Sequence, residues 1–145
     1  MRPRWFTIVF FLLSLPAISQ KKNQAYLYRI VFAGYFHEDV VDLDLEGKRI
    51  LTAERVKSGT NGATGLWVTR YDDKIVIQKG SAKQWVKASV FGSTWTIVLT
   101  INGNATTFKL NVKQGRIIGV HFTVPPGKKE RVLDLEQGSR YPLFL

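Results

Sequence analysis

No cysteine occurs anywhere in the 145-residue chain. Disulfides, thiol nucleophiles, cysteine-based metal sites and a lipid-modified N-terminal cysteine are therefore excluded, and packing alone must hold the fold together. Histidine is limited to His37 and His121. No Gly-x-Ser-x-Gly elbow, His-Glu-x-x-His pair or phosphate-binding glycine loop is present. Beyond Leu15 no run is apolar enough to cross a bilayer, which takes about 20 residues. Helical periodicity, internal repeats and low-complexity tracts are likewise missing after residue 20.

The N-terminus has a clear order. Met1-Arg2-Pro3-Arg4 is basic, Trp5 to Leu15 is apolar except for Thr7 and Ser14, and Pro16-Ala17-Ile18-Ser19 offers small residues two apart ahead of Gln20-Lys21-Lys22. Basic, apolar, then small-x-small is the order of a secretory signal peptide. The expectation is a signal peptide over 1–19, cleavage after Ser19, and one domain over 20–145; a retained N-terminal anchor is the alternative. The expected location is periplasmic, cell-surface or extracellular. A domain of this size can bury about two thirds of its unfolded surface without staples.

Charge is unevenly placed. The chain carries a formal +10, and without Arg2 and Arg4 the remainder keeps 19 basic against 11 acidic residues, +8. Glu38, Asp39, Asp42, Asp44 and Glu46 form an acidic stretch, whereas residues 48–129 hold fourteen Lys or Arg against Glu54, Asp72 and Asp73. Such a field favours encounter with anionic polymers and weakens with salt. Scattered lysines also keep a β protein soluble and guard its edges.

From Tyr26 onward the dominant period is two, with turn residues every eight to twelve positions. Tyr26, Tyr28, Ile30, Phe32 and Phe36 read as one inward face, and His37-Glu38-Asp39 as a turn. Val41, Leu43 and Leu45 point in while Asp42, Asp44 and Glu46 point out. Glu46-Gly47-Lys48 and Asn102-Gly103 are hairpin signals. Residues 58–65 and 79–83 read as loops, and Gly92-Ser93 as a turn. Trp95, Ile97, Leu99 and Ile101 form another inward stripe, as do Phe108, Leu110 and Val112. Pro125-Pro126-Gly127 ends a strand begun near Arg116. Nine to ten short strands joined by hairpins predict an all-β, mostly antiparallel β-sandwich, with a jelly-roll arrangement in view and a closed β-barrel as second choice.

Three constellations bear on chemistry. Asp42, Asp44 and Glu46 lie on one strand face about 6.6 Å apart, too wide for all three to reach one cation; pairing with Lys48 and Arg49 across the hairpin is the simpler expectation. No metal and no cofactor is expected. Trp67 and Tyr71 share one strand face opposite Leu66, Val68 and Arg70, so either set faces solvent. Trp85 lies between Lys83 and Lys87. Rigid aromatic faces beside basic groups suit an acidic glycan, and Trp67, Arg70, Tyr71, Lys83, Trp85 and Lys87 are the candidate ligand-binding residues. His37 beside Glu38 and Asp39, or His121, could serve acid–base work, yet nothing suggests a substrate, and no catalytic residue is assigned. Nucleic acid is not expected, because the basic residues are scattered singly. Asn104-Ala105-Thr106 is a formal glycosylation acceptor.

The sequence thus predicts an exported, non-enzymatic binding module for an envelope or extracellular glycan or other anionic polymer. One alternative is a structural subunit of an envelope assembly, pairing through Tyr141-Pro142-Leu143-Phe144-Leu145 with a protein partner. The other is a hydrolase of unassigned substrate.

Overall fold

A computed structural model describes residues 25–88 and 95–140. The proposed signal segment, the Gly92-Ser93 turn and the Tyr141–Leu145 tail lie outside the described residues.

Among the described residues the period-two pattern becomes ten strands. They are β1 (Tyr28–Ala33), β2 (His37–Leu45), β3 (Lys48–Lys57), β4 (Ala63–Arg70), β5 (Lys74–Lys79), β6 (Ala82–Lys87), β7 (Thr96–Ile101), β8 (Asn104–Lys109), β9 (Ile117–Thr123) and β10 (Val132–Gly138). A six-stranded sheet runs β10-β9-β1-β4-β5-β6 and a four-stranded sheet runs β3-β2-β7-β8. Among the described strands neither sheet closes into a barrel. Tyr28, Ile30, Phe32, Val68, Ile77 and Val120 from the first meet Val41, Leu43, Leu45, Ile97 and Leu99 from the second in one core. The arrangement is sandwich-like, with one apolar face of each sheet removed from water.

β1 has apolar neighbours on both faces. Tyr28, Ile30 and Phe32 enter the main core, whereas Val31 and Ala33 form a small second cluster with Ile117, roofed by Trp67. Phe36, just beyond β1, packs edge-on against Phe32 and Phe122 at 6.1 and 5.2 Å between ring centres. The Glu46-Gly47 and Asn102-Gly103 turns have positive φ at both positions (54° and 79°, 49° and 83°), the backbone that a two-residue hairpin following the strand twist requires.

Several local expectations are corrected. β1 pairs antiparallel with β4 but parallel with β9, Arg29 opposite Ile117 and Phe32 opposite Val120; the chain between them serves as the long crossover that a parallel pair needs. His37-Glu38-Asp39 is not a turn: β2 begins at His37 and absorbs Glu38, at φ 65°, as an irregularity opposite β3. The expected loop at 79–83 is the two-residue Gly80-Ser81 connection between β5 and β6. Val112 was expected on a strand and instead opens a short 3-10 turn, Val112–Gln114.

Glu46, expected outward, turns inward. Its carboxylate lies 3.8 Å from the Arg70 guanidinium, with both side chains nearly out of contact with water. Burial raises the Glu46 carboxyl above its ordinary value, opposed by Arg70 and the Tyr28 hydroxyl. Burial likewise pushes the Tyr28 hydroxyl up, with the Glu46 charge adding to it. Trp95 closes over this cluster at 5.3 Å from the Tyr28 ring. It is only partly buried, packed against the core from its edge. Asp42 and Asp44 behave as expected: Arg49 holds Asp42 at 3.1 Å and Asp44 at 2.5 Å. Lys48 instead reaches the Lys87 carbonyl at 3.2 Å.

Candidate functional site

The two readings of β4 are resolved by burial. Leu66 and Val68 are in the core and Arg70 points inward with them, so Trp67 and Tyr71 occupy the outer face of the six-stranded sheet. Register across that face places Trp85, Val76, Thr69 and Arg29 in one row, and Lys83, Gln78, Trp67 and Val31 in the next. Lys87 lies opposite Lys74. Five of the six candidates, Trp67, Tyr71, Lys83, Trp85 and Lys87, therefore share one surface. Arg70 does not: it is 2% exposed and cannot meet a surface ligand.

Trp85 is the exposed aromatic of the set, at 71%. It lines a shallow trough of about 540 Å³ with Asp73, Lys74, Val76, Lys83 and Lys87. β6 is the edge of its sheet among the described strands, which leaves the Trp85 ring open from one side. Trp67 is half-buried against the Val31, Ala33 and Ile117 cluster. From the strand spacing and the rise per residue pair, Trp67 and Trp85 stand about 12 Å apart, the reach of a short run of an extended polymer.

Arg29, Tyr26 and Lys74 complete the surface. The Arg29 guanidinium is 4.8 Å from the centre of the Tyr26 ring and 5.3 Å from that of Trp67, and its Nε donates to the Thr69 hydroxyl at 2.9 Å. Lys74 lies 5.6 Å over the Tyr71 ring. Cation and ring hold each other in fixed orientation in such pairs. Arg29 was legible as outward by alternation with Tyr28 and Ile30, but its place beside Trp67 depends on the β1–β4 pairing, which no local signal carries.

The histidines lie elsewhere. His121 Nε2 is 3.6 Å from Asp134 across the β9–β10 ladder. His37 gives its backbone N–H, not its imidazole, to Asp39 at 2.8 Å. Asp39 is buried and bound in both directions by Arg131, at 2.9 and 3.0 Å, and by the Asn102 amide at 2.7 Å. Among the described residues no group of three or more acidic or histidine side chains could hold a metal ion, and no helix is long and apolar enough to cross a membrane.

Burial alone would raise the Asp39 carboxyl, but the Arg131 guanidinium, the His37 N–H and the Asn102 amide outweigh it and hold its pKa at about 2. Against an ordinary value of 3.8, folding favours the ionised form. That contribution, about 2 kcal/mol, is complete above the ordinary value and fades as pH falls through about 2. Urea unfolding at about pH 5 and pH 2.5 should show it: the parent loses stability with acid, and Asp39→Asn, already less stable at pH 5, loses that much less. Equal pH slopes for the two proteins would refute the assignment.

Compared with protein-family models, with curated proteins and with solved structures, the chain matches none of them.

Proposed function

We propose that the protein is an exported, non-catalytic binding module that holds an acidic glycan, or another anionic polymer of the cell envelope or extracellular space, on the outer face of its six-stranded sheet. The observation that carries this reading is the gathering of Trp67, Tyr71 and Trp85 with Arg29, Lys74, Lys83 and Lys87 on that one face. Aromatic rings offer flat apolar surface to the face of a sugar ring, and ammonium and guanidinium groups suit its carboxylates or sulfates. A pleated sheet holds these side chains at fixed spacing, so little ordering remains to be done on binding. The basic, apolar, then small-residue order of Met1 to Ser19 supports export.

Tryptophan emission distinguishes stacking from simple charge attraction. The purified protein is titrated with polygalacturonate as the acidic polysaccharide and with dextran as a neutral one, at low and at high salt. The expected result is a spectral shift with polygalacturonate that weakens with salt yet persists, because ring contact is not screened. A response abolished by salt, or no response to any acidic polysaccharide, would overturn the reading.

A further inference from the structure

We infer that a second site, at the end of the sandwich where β1 turns into β2, takes a single neutral sugar ring on Tyr35. This goes beyond the sheet-face reading and does not depend on it.

The starting point is a backbone outlier. Tyr35 has φ 56°, in the left-handed region that a bulky side chain rarely adopts and that glycine adopts freely. Unlike Glu46 and Asn102, Tyr35 follows a glycine that is itself left-handed, Gly34 at 76°. The surrounding bonds over-determine the turn. Gly34 N–H donates to Gly62 at 2.7 Å, Phe122 N–H donates to Gly34 at 3.2 Å, and Phe36 N–H donates to the Ser58 hydroxyl at 3.0 Å. Arg131, locked on Asp39, donates to the Tyr35 carbonyl at 2.6 Å. The result is a tyrosine whose backbone is fixed and whose side chain is left in solvent, 55% exposed. A strained residue kept in place by its surroundings is a starting point for a hypothesis of function.

The cleft beside it fixes the ligand chemistry. It measures about 370 Å³ and is lined by Tyr35, Phe36, His37, Ser58, Thr60 and Asn61 with Gly34, Gly59 and Gly62, at the small end of ligand sites. The nearby charges are already matched: Arg131 by Asp39, and Lys57 by Glu38 at 3.1 Å. Its lining supplies the exposed Tyr35 ring, the Ser58 and Thr60 hydroxyls, the Asn61 amide and the His37 imidazole; Ser58 Oγ already accepts from Phe36 N–H and Asn61 Oδ1 from Ala63 N–H, which leaves the Ser58 hydroxyl proton and the Asn61 NH2 to donate. One flat apolar face ringed by hydrogen-bonding groups is complementary to a pyranose, and the pairing of Arg131 and Lys57 separates this site from the basic sheet face.

The test uses saturation-transfer NMR with the methyl glycosides of glucose, galactose, mannose and N-acetylglucosamine as probes. At least one should receive saturation from the protein. Tyr35→Gly is the informative variant, since glycine accepts the backbone conformation and the fold is kept. It should weaken that binding by at least about tenfold, whereas Tyr35→Phe retains it and Trp85→Ala leaves it unchanged. If no glycoside binds, or if binding survives Tyr35→Gly, the inference is wrong. Loss of glycoside binding in Trp85→Ala would equally overturn it, by moving the sugar to the sheet face.

Discussion

Arg70→Ala should cost the domain about 3–5 kcal/mol, roughly a fifth or more of the stability of a typical domain. The guanidinium is 2% exposed and lies beside the Glu46 carboxylate at 3.8 Å. Removing it strands a carboxylate that burial has already pushed toward its neutral form. Most of the penalty comes from the charge left behind in a site nearly closed to water. It follows that the pair can be replaced together at much smaller cost. Arg70→Met with Glu46→Gln should recover most of the loss, since neither side chain then needs a counter-charge. Denaturant midpoints of the two variants measure this directly. A loss below about 1 kcal/mol for Arg70→Ala would show that water reaches the cluster.

Trp85→Ala should weaken binding of an acidic polysaccharide about 30-fold, the size of a typical binding hot spot. Its effect on stability should stay within about 0.5 kcal/mol, as befits an exposed position, for the ring is 71% exposed. Trp67→Ala is the less clean experiment. It removes ligand surface, but also the cover over Val31, Ala33 and Ile117 and one of the two rings on Arg29, so it should lose both affinity and stability. Lys83→Gln with Lys87→Gln should act in a third way, weakening binding at low salt and having little effect at high salt. Titration calorimetry with polygalacturonate at two salt concentrations separates the three patterns. Equal losses from the tryptophan and lysine variants at every salt would contradict a division of labour between ring and charge.

Much of the fold is legible in the sequence because a strand half-covered by a core must alternate. Val41, Leu43 and Leu45 against Asp42 and Asp44, and Ile97, Leu99 and Ile101 against their neighbours, follow that rule without exception. Turns that demand positive φ are legible for the same local reason, as at Glu46-Gly47 and Asn102-Gly103. Alternation, however, identifies two faces without saying which is inside. In β4 the charge on Arg70 argues for solvent, yet Leu66 and Val68 carry it into the core, where Glu46 from the β2–β3 turn meets it. That meeting joins two sheets and has no local signature. The same holds for Arg29, brought to Trp67 by a pairing across about forty residues of chain, and for the parallel β1–β9 ladder. The Tyr35 conformation is invisible because the residue type argues against it; only the bonds from Gly62, Phe122, Ser58 and Arg131 impose it.

The most direct test of the sheet-face site is its location in solution. An isotope-labelled sample titrated with oligogalacturonate should show amide shifts concentrated in β4, β5 and β6, at Trp67, Tyr71, Lys74, Val76, Lys83, Trp85 and Lys87, with β2, β3, β7 and β8 unmoved. Shifts centred on the four-stranded sheet, or spread over every lysine-bearing segment alike, would contradict a site built on that face.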